Sequence, residues 1–323
     1  RSRTLNRTGL GKPGSNQEAE KMARALEIAP EVKTALAEGH PVVALESTLI
    51  SHGLPAPDNL NCAMEAESRV RSGGGVPATI AVIEGTIRVG LDQGGLERLA
   101  SGIEIAKLSR DDLGSAVARG VTGATTVAAT MICARLAGID VFATGGVGGV
   151  HRGWSESMDI SADLIELSRT AVTVVCSGAK SILDLPATVE MLETLGVPLV
   201  GYRVSELPAF FSAQSGIELR QHIDEIGEMV EIIQARRQLE MGGGEILVVP
   251  PPSERALAGD QVRAWIEQAL AEAKKQAISG KAVTPFLLRR LSTLSGGETL
   301  KTNVALILNN ATTATELAVA LAG

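Results

Sequence analysis

One lysine closes the run VTVVCSGAK: Lys180 follows an apolar, β-branched stretch and a small-residue turn, at the point where a helix is expected to begin. A cation there opposes the positive end of the helix dipole, and a residue set against a local rule marks a candidate for function. An amine partly desolvated behind a buried strand, or placed near a second cation such as Lys107, loses affinity for its proton. Its lone pair is then free to attack a carbonyl. That is the imine-forming use of lysine, which arginine cannot replace; the plainer use of Lys180 is a side chain that reaches solvent. Glu46 ends PVVALE in the same manner. A carboxyl group so placed has a raised pKa and suits a general acid, or it simply hydrogen-bonds the following loop.

Three further stretches carry polar groups in suggestive patterns. GATTVAAT (123–130) puts small residues and the hydroxyls of Thr125 and Thr126 at a predicted helix start, where backbone N–H groups favour a phosphate. Either threonine also serves as an ordinary N-cap. SMDISADLIEL (157–167) spaces Asp159 and Asp163 four residues apart, on one face if both are helical. Hard oxygen ligands of this kind suit Mg²⁺ or Mn²⁺, while acids at a helix N-terminus are also explained by the dipole alone. TGGVGGVHRG (144–153) lacks the G-K-[ST] of a P-loop, and His151 occupies the third glycine position of a dinucleotide fingerprint. It reads as a mobile or closely approached loop, with His151 and Arg152 available to an anion or a sugar hydroxyl.

The elements that must position these groups alternate. Strands are predicted at 41–47, 78–83, 86–91, 103–109, 141–146, 172–178, 198–202 and 245–250. Helices are predicted around 59–72, 124–137, 160–170, 181–195, 222–240, 254–278 and 298–321, with a helical pattern before Ala37 broken at Pro30. Near-continuous Val/Ile runs imply strands covered on both faces, and alternation with helices implies βαβ crossovers. TIAVIEGTIRVGL reads as a hairpin about Glu84-Gly85. The expectation is a single-domain three-layer α/β/α fold with a mixed, mostly parallel central sheet. Ligands in open α/β sheets sit at the carboxyl ends of the strands, where Glu46, Lys107, the glycine-rich loop and Lys180 all fall.

Composition narrows the function. The chain of 323 residues holds two Trp, one Tyr and four Phe, so base stacking on an aromatic platform is not expected. A net charge of −7 argues against a nucleic-acid backbone as partner. Cys62, Cys133 and Cys176 have no metal-type spacing and suit a reducing, cytoplasmic setting. No uninterrupted apolar run near 20 residues is seen, so no membrane span is expected. The segment before about Ile28 is basic up to Glu18 and is read as a disordered tail (1–27), with the catalytic domain at 28–323. The residues alone describe an acidic α/β enzyme acting on a phosphorylated sugar.

Nine stretches, PVVALESTLISHGLP, GATTVAATM, FATGGVGGVHRG, DISADL, TVVCSGAKSILDL, GVPLVGY, LPAFF, TPFLL and LKTN, in this order resemble the pseudouridine-5′-phosphate glycosidase family, from about Ile28 to the C-terminus. The resemblance implies reversible cleavage of the C–C glycosidic bond of pseudouridine 5′-phosphate to uracil and ribose 5-phosphate, with one Mn²⁺ per subunit and a homotrimeric assembly. It implies Lys180 as the nucleophile that opens the ribose and holds it as an imine, Glu46 as proton donor, and Asp159 as the metal residue, acting through water. Lys107, Val127 and Ser161, Ala162 and Asp163 match substrate-contacting positions, and His151 and Asn303 lie in matching motifs. The chain departs from the family pattern where an Asn-Pro-containing segment becomes VVPPPSE, with Pro250 at the Asn position. Another Schiff-base sugar-phosphate lyase and a non-catalytic sugar-phosphate or nucleotide binder are the alternatives.

Overall fold

A computed structural model describes residues 25–278 and 280–323. Its strands are β1 (Leu26–Ile28), β2 (Val42–Leu45), β3 (Val76–Ile83), β4 (Thr86–Val89), β5 (Ala106–Leu108), β6 (Gly123–Thr125), β7 (Val141–Ala143), β8 (Thr173–Cys176), β9 (Leu199–Tyr202), β10 (Gln221–Ile223) and β11 (Ile246–Val248). Its helices are α1 (Pro30–Ala37), α2 (Asp58–Ser72), α3 (Gln93–Ala100), α4 (Leu113–Arg119), α5 (Val127–Ala137), α6 (Trp154–Ser157), α7 (Ala162–Leu167), α8 (Leu185–Thr194), α9 (Ile226–Gln238), α10 (Gly259–Lys275), α11 (Val283–Leu294) and α12 (Glu298–Ala322).

The strands join one sheet in the order β1-β4-β3-β2-β7-β8-β11-β9-β10, with β6 also on β3 and β5 on β6. All pairs are parallel except β3 with β4 and β3 with β6. The expected mixed, mostly parallel sheet is therefore present. Alternate residues of its middle strands feed two cores. Val42, Ala44, Phe142, Val174 and Cys176 pack with Ala129 and Cys133 of α5, Leu164 of α7 and Ile266 of α10. Val43, Leu45, Val141, Ala143 and Val175 pack on the other side with Val70 of α2, Met229 of α9 and Ala314 of α12. Burial on both faces explains why these strands read as unbroken apolar runs.

The antiparallel corner matters for the site. Pairing of β2 with β3 ends at Leu45↔Thr79, and the overhanging Ile80–Ile83 continues past the sheet's carboxyl edge. A hairpin turn with Glu84 at φ 49° and Gly85 at φ 79° returns the chain as β4, the backbone signature of a two-residue type I′ loop. The strand β6 runs down the same overhang (Ala81↔Ala124), with β5 parallel beside it. So β5 and β6 deliver their own carboxyl ends to the edge where β2, β7 and β8 end.

Expected helix starts are corrected. The stretch 123–125, expected to open a helix, is β6, and α5 begins only at Val127. The helix expected at 181 begins at Leu185, where Asp184 accepts from the Ala187 N–H at 3.1 Å. Helix α12 is long and apolar enough to cross a membrane by length and composition, but half of its most apolar window is buried inside the fold, and the helix packs on α2, α9 and the sheet. The proposed tail at 1–27 lies outside the described residues except at its end, where Leu26 and Glu27 belong to β1 and pair with β4.

Candidate active site

The strand ends meet in a cleft with about 750 Å³ of empty space counting its open mouth, lined by Glu46, Thr48, His52, Lys107, Ser109, Thr126, Gly145, Gly146, Asp163, Lys180 and Asn303 among others. Lys180 reaches it by an extension of the sheet rather than by a helix start. Beyond β7 and β8 the chain keeps pairing: Ser177 N–H donates to Gly145 O (3.0 Å), Val147 N–H to Gly178 O (3.1 Å) and Lys180 N–H to Val147 O (3.1 Å). The glycine-rich loop is thus a buried, paired partner of the lysine segment, which settles the close-approach alternative over the mobile one. The helix-dipole conflict expected at Lys180 does not arise, because α8 starts five residues later.

Two glycines make that pairing possible. Gly178 has φ +83°, and a Cβ there would lie 2.6 Å from Pro208 O. A Cβ at Gly148 would lie 2.2 Å from Ser161 Oγ and 2.6 Å from Asp163 Oδ2. Asp163 is buried because it holds this corner together. Its Oδ1 accepts from the Ala128 N–H of α5 (2.9 Å) and its Oδ2 from Gly148 N–H (2.8 Å). Ser161 caps α7 and accepts from Asp163 N–H at 3.2 Å. The pair Asp159 and Asp163 does not share a helix face. Met158 at φ 55° breaks the chain before α7, and Asp159 is half-exposed and does not line the cleft.

Glu46 is buried and fixed through both oxygens. Thr144 Oγ1 donates to Oε1. Thr48 Oγ1 lies 3.0 Å from Oε2 and also 2.5 Å from the carbonyl of Thr125. A hydroxyl has one proton, and a carbonyl only accepts. Thr48 therefore has one proton for two acceptors, the Glu46 carboxyl oxygen and the Thr125 carbonyl.

The expected phosphate cradle at α5 is largely spoken for. Thr126 is the N-cap, with Oγ1 accepting from Ala129 N–H at 3.5 Å, and Asp163 takes the next N–H. Thr126 lines the cleft, whereas Thr125 is fully buried, donating to Ile80 O at 2.7 Å and accepting from Thr130 at 2.9 Å. Side chains of Val127, Ser161 and Ala162 do not line it. His151 stands beside Lys180 and Lys107. Desolvation holds its pKa below the ordinary histidine value; Asp159, with Oδ2 3.8 Å from Nδ1, works the other way, and the two lysine charges add to the lowering. Asn303 of α12 is buried against Gly145. Pro250 is away from the cleft, its carbonyl accepting from Asn309 at 3.3 Å.

Sequence reasoning missed His52, Phe210 and the wall of α11 formed by Thr284, Pro285 and Leu288. Phe210, at φ 64°, presses its ring on Gly146. The stretches LPAFF and TPFLL were visible as motifs, but no spacing rule tied them to the site.

Residues 31–320 match the family model of indigoidine synthase A like proteins. The chain is 55% identical over 294 residues to a pseudouridine-5′-phosphate glycosidase of Herpetosiphon aurantiacus, covering 91% of this chain and 97% of that protein. Among solved structures it is similar to a prealnumycin C-glycosynthase in complex with ribulose 5-phosphate, with a TM-score of 0.86, 41% identity, and 93% of this chain and 97% of that one covered. An indigoidine synthase A-like protein of Thermotoga maritima superposes with a TM-score of 0.85 at 37% identity, covering 92% of this chain and 97% of that one.

Proposed function

The chain belongs to the indigoidine synthase A like family, and from that premise we propose that it is a pseudouridine-5′-phosphate glycosidase, joining or cleaving the C–C bond between uracil and ribose 5-phosphate. The observation that carries the reading is the convergence of Lys180, Glu46 and Lys107 on one cleft. A similar protein forms C-glycosides and was solved with ribulose 5-phosphate, which supports a sugar-phosphate substrate here.

The arrangement suits the bond. A carbon leaving group has no lone pair to accept the electrons, so the carboxylate pair that serves ordinary glycosidases is less suited. Lys180 adds its lone pair to C1′ as the C1′–O4′ bond opens, and O4′ takes a proton. Glu46 then gives its proton to C5 of the pyrimidine. The C1′–C5 electrons restore the C5=C6 double bond as the lysine nitrogen forms the C1′=N bond. Water hydrolyses that imine and releases ribose 5-phosphate. The Thr48 and Thr144 contacts hold both oxygens of the Glu46 carboxyl group in one orientation. Lys107 supplies positive charge for the phosphate.

The resemblance also implies Mn²⁺. Among the described residues no group of three or more His, Cys, Asp and Glu side chains gathers as a metal cage. Small hard cations often use one or two carboxylates and keep several waters, and the half-exposed Asp159 beside His151 fits that mode. Bound there, the ion would supply positive charge to substrate oxygens. Loss of turnover on chelation, restored by Mn²⁺, is expected; full activity in chelator would remove the metal from the reading. The homotrimer rests on the resemblance, and light scattering should return three times the 33.5 kDa chain mass.

The deciding experiment supplies uracil, ribose 5-phosphate and Mn²⁺ and looks for the C-glycoside, then traps the imine with borohydride. Wild type should give product and a stable adduct on Lys180. Lys180→Ala should lose both, and near-normal turnover in that variant would sink the nucleophile assignment. Adduct without C-glycoside would favour another imine-forming lyase.

A further inference from the structure

His52 is a polar residue of the cleft to which the mechanism above gives no task. It sits in the π-turn Leu49–Gly53 that follows Glu46, Ser47 and Thr48, so the turn that carries it starts from the strand end that presents the proton donor. The imidazole is half-buried and neutral: desolvation and the charge of Lys107 lower its pKa, against a hydrogen bond to the Ala106 backbone that raises it. A bond that favours the protonated ring is one in which the ring donates to a carbonyl. Neutral imidazole has one N–H and one lone pair. With the N–H given to Ala106, what remains for a ligand is an acceptor. Nε2 is buried with no hydrogen-bond partner, one of four such side-chain atoms among the described residues. Buried polar groups are rarely left so, and the residue that carries this one lines the cleft.

An acceptor nitrogen cannot bind a phosphate dianion, so its partner must offer a hydrogen. The neighbouring walls, Leu49, Leu54, Pro285 and Leu288, are apolar and suit a flat ring more than a sugar. We propose that His52 accepts the N1–H of the pyrimidine and is a specificity-determining residue for the base. This deepens the glycosidase reading and rests on it. The chemistry gives N1 priority over N3: protonation of C5 leaves a cation shared between C6 and N1. An acceptor on the N1 hydrogen stabilises that cation, whereas N3 is not conjugated with it in the same way. The interaction therefore strengthens as the proton arrives from Glu46, which is what a catalytically useful contact must do.

The test compares pseudouridine 5′-phosphate with its N1-methyl and N3-methyl derivatives, using wild type, His52→Phe and His52→Gln. For wild type, N1 methylation should lower kcat/KM far more than N3 methylation. His52→Phe should lower kcat/KM for the parent substrate by about 10- to 100-fold, the usual effect of one buried hydrogen bond left unmade. It should also erase the difference between parent and N1-methyl substrate. His52→Gln, which keeps an acceptor, should recover part of the loss. A penalty for N1 methylation that is the same in His52→Phe as in wild type would overturn the assignment while leaving the glycosidase reading intact. Wild-type protein inert toward the parent substrate with Mn²⁺ present would overturn the functional reading and this inference with it.

Discussion

Thr48 has one hydroxyl proton and two neighbours placed to receive it, and the carbonyl of Thr125 can do nothing but receive. Its two contacts make Thr48 a positioning residue for the Glu46 carboxyl group. Thr48→Val removes the oxygen while keeping the shape, so kcat should fall by about 10- to 100-fold through the unpaired carboxyl, with borohydride trapping on Lys180 retained. Thr48→Ser should recover most of the rate. Glu46→Gln, which lacks the acidic proton, should lose about 10²- to 10⁴-fold. A Thr48→Val enzyme at wild-type rate would remove this arrangement from the mechanism. The same residues show what a sequence discloses of a site. Lys180, Glu46 and Lys107 were legible because each lies at or beyond the carboxyl end of a strand, and such ends converge by rule. Asp163 was legible only as a carboxylate. Its pairing with two N–H groups from different segments depends on the close approach of Gly148, which no local pattern encodes. His52 was invisible because a π-turn between two apolar stretches has no sequence signature.

The elements divide the molecule into an edge that reacts and an edge that holds. At the amino ends of β8 and β11, away from the cleft, Glu245 accepts from Arg236 Nε at 2.7 Å and from Thr173 Oγ1 at 3.0 Å, all three residues being buried. Glu245→Ala leaves a guanidinium without its carboxylate inside the fold, at a cost of about 3–5 kcal/mol. Denaturant unfolding should register that loss while kcat/KM at 25 °C stays near wild type. Arg236→Met combined with Glu245→Leu should return most of the stability, since buried pairs replaced whole are often tolerated. A single variant as stable as wild type would show the pair to be solvated. The long apolar elements were legible for a related reason: Val42–Leu45 and Thr173–Cys176 are buried on both faces, and only strands that cross the middle of a sheet need such runs. The elements missed are those held by their neighbours. Gly123–Thr125 is too small and polar to announce a strand, and it is one because the overhang of β3 offers it a ladder. Gln221–Ile223, expected as the start of a helix, is likewise a strand because β9 offers an edge to pair with.

For the whole molecule, acid is the condition under which the site and the fold come into conflict. A net charge of −7 sits mostly on a surface whose carboxylates pair with cations. Hydrogen bonding to Arg71 holds Glu31 below its ordinary 4.5, and Lys301 does the same for exposed Glu298. Those pairs contribute stability above about pH 4.5 and lose it as pH falls through the lowered values. The histidine of the cleft acts earlier and with its own sign. His52 has a folded pKa below 6.5, so at pH above 6.5 neither folded nor unfolded chain carries its proton and it is silent. As pH falls from 6.5, the unfolded chain takes up the proton first, and stability drops until the folded pKa is reached. Glu67, raised by burial, pulls the other way above 4.5, so wild type alone gives a mixed slope. Comparison with His52→Gln cancels every other group. Between pH 7.5 and 5 the melting temperature of wild type should fall further than that of His52→Gln. Parallel curves would mean that His52 protonates as readily in the fold as in the unfolded chain. A ring of ordinary pKa would still be neutral above pH 6.5, so this titration tests the burial of His52, while the methylated substrates test its contact with N1.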